Sequence, residues 1–272
     1  MAKKKVLVTG VAGALAALLV PELAENYEVD GIDKRPISGM NAAPSPEGLG
    51  KRTVGDVRDL LAVEEAFRGY DAVIDFANDP LFRQSWATSQ ENIASTFGGL
   101  LAAQRAGVKR YIFTSSNHVM GKYEQEPPYT AIARGEYAGL DPATLPRISA
   151  AWPHRPDSPF GIAKAASEVA ARYFAENYGM SNICLRLGTS LSGDQPTSIR
   201  QFHSILSKRD LVHLYECAIE APLTLTFGAF FGVSNNTWRI WDISDTHELI
   251  GFTPQDDTER YRGLPFPTAA AE

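Results

Sequence analysis

A doubly wound α/β fold, with a parallel sheet and helices on both faces, is predicted for this chain by three observations. Short β-rich runs alternate with helical stretches through the first two-thirds of its 272 residues. A glycine-spaced turn joins the first run to the first helical stretch, and a carboxylate closes the second run. Alternation of this kind builds right-handed βαβ crossovers, which bury a parallel sheet between two helix layers.

The elements follow in chain order. Strands are expected at 5–9, 27–32, 52–55, 72–76, 110–115 and 182–187, where apolar and β-branched residues gather between turn formers. Helices are expected at 61–68, 93–106 and 162–178, which are amphipathic or alanine-rich. Pro21 falls inside the first helical pattern and should kink or shorten it. Two Pro/Gly-rich segments, 37–50 and 123–159, interrupt the alternation. Loops of such length are usually functional or mobile, and the second leads into the helix bearing Lys164, so it should lie over a ligand site.

Composition excludes several function classes. A net charge of −6 without a sustained basic run argues against nucleic acid, whose phosphates need clustered Lys and Arg. No stretch approaches the roughly 20 apolar residues of a membrane span. The apolar run Val6-Leu-Val8 meets Thr9-Gly10 too soon for a signal peptide, so a soluble cytoplasmic protein is expected. Cys184 and Cys217 lie far apart with no Cys-x-x-Cys and no histidine cluster, which fits a reducing compartment, buried thiols and no metal.

Thr9-Gly10-Val-Ala12-Gly13-Ala14-Leu15-Ala16 carries the first chemistry. Gly10 permits a tight turn, Gly13 lets the backbone approach a pyrophosphate, and Ala16 keeps helix and strand close. The pyrophosphate would sit at the helix N-terminus, near Ala12, Ala14 and Leu15, where unpaired N–H groups and the dipole favour anions. Asp33 follows Gly13 at the spacing of the acid that binds an adenosine ribose, which selects NAD over NADP, although Lys34 and Arg35 pull the other way. Asp56 and Val57, past the third strand, face the adenine in this reading. Phe76, Ala77, Asn78 and Asp79 at the fourth strand, and Thr114 at the fifth, occupy carboxyl ends of strands, where open α/β sheets bind ligands. Asp75 is either a surface-facing strand residue or a buried acid needing a partner.

This is a Rossmann pattern, and it divides the chain. Residues 1–188, with the inserted segment 123–159, form the NAD-binding domain. Residues 189–263, with a helix near 209–219 and a strand near 225–233, form a small C-terminal substrate-binding lobe, and 264–272 a frayed tail.

Phe160 stands out. Ser158-Pro-Phe-Gly-Ile-Ala-Lys164 has the frame of a Tyr-x-x-x-Lys pair with a phenyl ring replacing the phenol. Residues four apart share one helix face, so a lysine there can draw a phenol's pKa down from about 10. Phenylalanine has no proton to give or take.

Together the glycine turn, Asp33, Gly55-Asp56, Ser115-Ser116 and the Phe160/Lys164 frame resemble an extended short-chain dehydrogenase/reductase of the NAD-dependent epimerase/dehydratase group. Thr114-Ser-Ser-Asn-His118, Cys184-Leu-Arg-Leu-Gly188, Leu206-Ser-Lys-Arg-Asp210 and Gly251-Phe-Thr-Pro-Gln-Asp256 resemble uronate dehydrogenases and haloarchaeal NAD-dependent glucose-6-phosphate dehydrogenases. The resemblance implies oxidation of the C1 hydroxyl of a sugar acid or sugar phosphate to the lactone. It makes Ser116 the partner of the reacting hydroxyl and gives Lys164 the nicotinamide ribose. Asn117 and His118 would orient the sugar beside Asp79, with Arg200 on its carboxylate or Lys208 and Arg209 adding charge for a phosphate. It also implies a homodimer through the helices at 93–106 and 162–178.

Three readings account for Phe160. A dehydrogenase whose tyrosine has been exchanged would bind its ligands and turn over poorly. Another group, His118, Asp79 or Tyr123, could move the proton, for oxidation or for a nicotinamide-retaining epimerisation or dehydration. Or the chain binds NAD without catalysis.

Overall fold

The computed structural model describes residues 2–38, 42–78, 85–190 and 193–267. In chain order the elements are β1 (Lys5–Thr9), α1 (Ala14–Asn26), β2 (Glu28–Asp33), β3 (Arg52–Val54), a short α2 (Leu60–Val63), β4 (Ala72–Asp75), α3 (Trp86–Arg105) and β5 (Arg110–Ser116). After the insert's α4 (Tyr129–Arg134) come α5 (Pro159–Tyr178), β6 (Ser181–Leu187), a short α6 (Gln201–Ser204), α7 (Lys208–Glu220), β7 (Phe227–Gly232) and α8 (Ser244–Ile250).

All seven strands form one parallel sheet in the order β3-β2-β1-β4-β5-β6-β7. The order reverses between β1 and β4, which opens a crevice at their carboxyl ends. Central strands are buried on both faces, and β1, β4, β5 and β6 are buried along almost their whole length, polar residues included. Successive side chains then feed opposite layers. Val6, Val8, Ile183 and Leu185 pack with Leu19 of α1 and Leu214 of α7, whereas Leu7, Val73, Phe113 and Cys184 pack with Leu100 of α3 and Ala171 of α5.

The C-terminal lobe is smaller than expected. Its predicted strand is β7, which pairs along its length with β6, from Asn182 beside Phe227 to Leu187 beside Gly232. α7 is the crossover helix between them and packs on α1. An apolar strand edge at β6 is covered most cheaply by one more parallel strand, so the boundary at 188 does not separate this unit from the sheet. What stands outside the sheet is a cap built from two distant segments. Tyr129, Ile132, Leu145 and Ile148 of the insert share a core with Phe231, Val233, Ile240 and Trp241. Ile148 and the 240–242 segment also exchange backbone bonds in an isolated bridge, at 2.7 and 3.0 Å.

Other expectations changed in detail. α1 continues through Pro21 to Asn26. The expected tail is tied down where it is described, since Gln195 donates to the Pro265 carbonyl at 3.0 Å and Phe266 stands beside Phe202. Residues 268–272 and Asp79 lie outside the described residues.

Candidate active site

The glycine turn is shaped by contact with β4. Gly10 has a φ of +64°, and a Cβ there would come within 2.5 Å of the Phe76 carbonyl oxygen, so only glycine fits. Its own carbonyl accepts from the Gly13 N–H at 2.9 Å. Gly13 caps α1 with extended backbone and no side-chain acceptor, which leaves the first-turn amides, those of Ala14 and Leu15 among them, without a capping side chain. Asp33, buried at the end of β2, accepts from the Ala12 N–H at 2.9 Å. Arg35 takes the same carboxylate, from its backbone N–H at 2.9 Å and from Nε and Nη2, each at 3.0 Å. Burial works against ionisation of Asp33, yet the hydrogen bonds from Arg35 and Ala12 hold its carboxyl below the usual range.

Across the crevice, Asp75 is a buried acid, accepting from the Thr9 and Tyr111 hydroxyls at 2.7 and 2.8 Å and from the Ala77 N–H at 2.9 Å. Two residues on, the amide nitrogen and oxygen of Asn78 are buried without a hydrogen-bond partner among the described residues. Asp56 is clasped by Arg58, Nη2 to Oδ2 at 2.6 Å, and Val57 beside it is buried. The hydrogen bonds from Arg58 outweigh burial and lower the Asp56 carboxyl.

The chemical corner lies where β5 and α5 meet. α5 starts cleanly, with Ser158 accepting from the Gly161 N–H at 3.1 Å and Pro159 in the first turn. Gly161 lets the helix approach, because a Cβ there would collide with the His118 carbonyl. Lys164, one turn after Phe160, is buried and donates to the Thr114 carbonyl at 2.6 Å. Its Nζ lies 4.8 Å from the ring centre of Phe113 and 5.5 Å from that of Phe160. Burial pushes its pKa down to about 8. On another side of Phe160 the His118 ring stands edge-on at 6.0 Å. His118 Nδ1 meets both oxygens of Asp157, at 2.8 and 3.0 Å. Burial would raise Asp157, but the hydrogen bonds from His118 and Ser158 and the charge of Arg200 hold it below the usual carboxylate range. An ionised Asp157 makes Nδ1 the donor, which leaves the basic lone pair of the imidazole on Nε2. Ser116 Oγ accepts from the His118 N–H at 3.2 Å, and Asn117 beside it is buried.

Beneath this corner runs a buried charged network. Glu168, one turn after Lys164, accepts from Ser115 Oγ at 2.5 Å and from Arg186 Nε and Nη2 at 2.9 and 2.7 Å, and its Oε2 lies 3.2 Å from His154 Nε2. Burial opposes ionisation, but these partners, Arg186 first, bring Glu168 down to about 2. Arg186 also donates to the Ala150 carbonyl at 2.9 Å, which fastens the insert to the sheet.

At the far end of the cap, Arg200, expected to hold a ligand anion, is engaged by a carboxylate of the protein. Its Nε and Nη2 reach both oxygens of buried Glu124, at 2.7 and 2.6 Å. Lys208 and Arg209 are likewise turned to protein carboxylates, Glu22 at 2.6 Å and Asp256 at 2.7 Å.

The structure therefore brings Ser116, Asn117, His118, Thr114, Phe160 and Lys164 to one corner, and Gly10 to Leu15, Asp33 and Phe76 to Asn78 to the adjoining crevice. Glu124, Asp157 and Glu168 were missed. Only Glu168 carried a signal, its spacing of four from Lys164. Among the described residues no three His, Cys, Asp or Glu side chains are grouped as metal ligands, and no helix is long and apolar enough to cross a membrane.

The profile of the NAD dependent epimerase/dehydratase family matches residues 6–209. The NAD-dependent glucose-6-phosphate dehydrogenase of Haloferax volcanii is 30% identical over 94% of this chain and 95% of its own length. The L-arabinose 1-dehydrogenase (NAD(P)(+)) of the same organism is 29% identical over 93% of this chain and 97% of its own. The crystal structure of uronate dehydrogenase from Agrobacterium tumefaciens superposes with a TM-score of 0.77 at 26% identity, covering 99% of this chain and 92% of that one.

Proposed function

This chain belongs to the NAD dependent epimerase/dehydratase family, and from that membership we propose that it oxidises the C1 hydroxyl of a sugar to the lactone, with NAD as cofactor. The residues present suit the dinucleotide. Gly10 keeps the turn pressed against the end of β4, where a Cβ would meet the Phe76 carbonyl, the uncapped start of α1 offers N–H groups to the pyrophosphate, and the Asp33 carboxylate would meet the ribose. The side-chain amide of Asn78, three residues past β4 and without a hydrogen-bond partner among the described residues, is a further group suited to the dinucleotide. When bound, NAD supplies the acceptor for the hydrogen leaving C1.

The observation that carries the reading is that Lys164 and the His118–Asp157 pair flank the Phe160 ring, with Ser116 held to His118 by the His118 N–H. Lys164 holds the nicotinamide ribose and Ser116 the reacting hydroxyl. Phe160 cannot accept the hydroxyl proton, so the proton passes to Nε2 of His118, whose ring Asp157 orients and whose positive charge Asp157 then balances. Turnover by this route is slow compared with a phenol in the Phe160 position. The test is formation of NADH and of the lactone with a panel of sugars, in the wild type and in His118→Gln. Lactone formation lowered about 10²-fold or more by the substitution supports the route. Tight NAD binding with no product from any sugar would show a cofactor-binding protein without this activity.

The assembly proposed is a homodimer in a reducing cytoplasm, where Cys184 and Cys217 stay as thiols. α3 and α5 pack side by side on one face of the sheet and still expose Phe97, Ile162, Val169 and Tyr173. An apolar helix pair of this kind fits a second copy of itself. Light scattering should report a dimer, and Val169→Glu a monomer.

A further inference from the structure

Every cation that the sequence offered to a substrate anion is already matched by a carboxylate of the protein. Lys208 pairs with Glu22 and Arg209 with Asp256, both on α7. Arg200 is matched most completely, because Glu124 is buried and takes both Nε and Nη2. His203, next to them and fully buried, lies 3.7 Å from the same carboxylate. Burial drives its pKa down to about 4, so it brings no positive charge. The charge of Arg200 also helps to hold Asp157, the partner of His118, below the usual carboxylate range.

A sugar carboxylate or phosphate that claimed Arg200 would strip Glu124 of its cation inside the protein. It would also set a second anion beside it. Both changes are costly, because a buried charge deprived of its partner loses far more than an exposed pair is worth. A neutral sugar meets no such obstacle. Each carboxylate oxygen has two lone pairs, so a sugar hydroxyl can donate to Glu124 while the ion pair stays closed.

We infer that the sugar this site takes is an uncharged aldose, and that Glu124, by holding Arg200, is the residue that decides against uronates and sugar phosphates. The inference rests on the dehydrogenase reading above and names its substrate class. Calorimetric titration of the full chain with NAD present tests it, using L-arabinose, D-glucose and D-galactose as neutral probes and D-glucuronate and glucose 6-phosphate as anionic ones. At least one neutral aldose should bind about tenfold or more tighter than either anion. In Glu124→Gln, the affinity for glucuronate relative to that for the neutral sugar should rise by about tenfold. Tighter binding of glucuronate or glucose 6-phosphate to the wild type overturns the inference and leaves the dehydrogenase reading intact. An unchanged ratio of the two affinities in a folded Glu124→Gln protein removes Glu124 from the explanation and overturns the inference. Should that variant not fold, the wild-type ranking decides alone. Binding of NAD but of no sugar overturns the dehydrogenase reading and the inference with it.

Discussion

The ammonium of Lys164 lies 5.5 Å from the ring centre of Phe160, one helical turn away on the same face of α5. The lysine is thus set where it could lower the pKa of a phenol, and the ring beside it has no hydroxyl. Phe160→Tyr adds one oxygen to a ring that packing already holds, so it should raise the rate of NADH formation by about 10²-fold or more. It should also make the reaction less dependent on His118. The two positions would then serve one proton, and the cost of His118→Gln should shrink in the Phe160→Tyr background, a non-additivity read from the four rates of a double-mutant cycle. A Phe160→Tyr protein no faster than the wild type would show that the phenol is not what limits turnover.

In the proposed reading Asp33 and Arg35 bear together on the choice of dinucleotide. The carboxylate holds the guanidinium by two hydrogen bonds, each 3.0 Å, and so keeps it from acting as a phosphate site. Asp33→Ser removes the proposed ribose acceptor and the repulsion of a 2'-phosphate. NAD affinity should fall by about tenfold and NADP affinity rise by a similar factor, measured by fluorescence titration. Retained preference for NAD would place discrimination elsewhere in the crevice.

Much of the sheet was legible because its cause is local. Two-faced apolar runs, the glycine turn and Asp33 at the end of β2 all report on residues within one βαβ unit. Strand β7 was legible as a strand but not as part of this sheet, since nothing in Phe227–Gly232 says which edge it will join. The same limit hid half of the chemical corner. Asp157 is 39 residues from His118, Glu124 is 76 from Arg200, and Arg186 is 18 from Glu168. Asp157 and Glu124 read as ordinary polar residues until folding supplies their partners, and the spacing of Glu168 from Lys164 does not name Arg186. Arg200 was found by its type, and its engagement by Glu124 could not be. Phe160 could be read because its departure is from a short helical frame.

Glu168 and Arg186 are both almost wholly buried, and their ion pair ties α5 to β6 directly below the site. Glu168→Gln leaves the guanidinium uncompensated and should cost about 3–5 kcal/mol in urea unfolding. Replacing both, Glu168→Gln with Arg186→Met, should recover much of that loss, since the buried charge goes with its partner. The pH response follows from the same pair. The folded pKa of about 2 lies below the ordinary 4.5, so the stabilisation is complete above 4.5 and is lost as pH falls through 2. A double variant as unstable as the single one would show that shape at this position, and not charge, limits stability.

Lys164 should act on stability in the alkaline direction. Burial lowers its pKa from the ordinary 10.5 to about 8, so between these values the unfolded chain binds a proton that the folded chain does not. Stability carried by this group is therefore fully present above 10.5 and is lost as pH falls through 8, the sign of a depressed folded pKa. The full difference is on the order of 3 kcal/mol. Lys164→Met keeps the length of the side chain and removes the titration. Relative to that variant, the wild type should gain stability as pH rises from 8 toward 10, read as a widening gap in urea midpoints. The hydrogen bond to the Thr114 carbonyl does not cancel the trend, because a neutral amine still donates it. A gap that stays constant over this range would mean that Lys164 keeps its proton throughout. The group next to the reacting hydroxyl would then be a permanent cation, and NAD binding should show no loss on crossing pH 8.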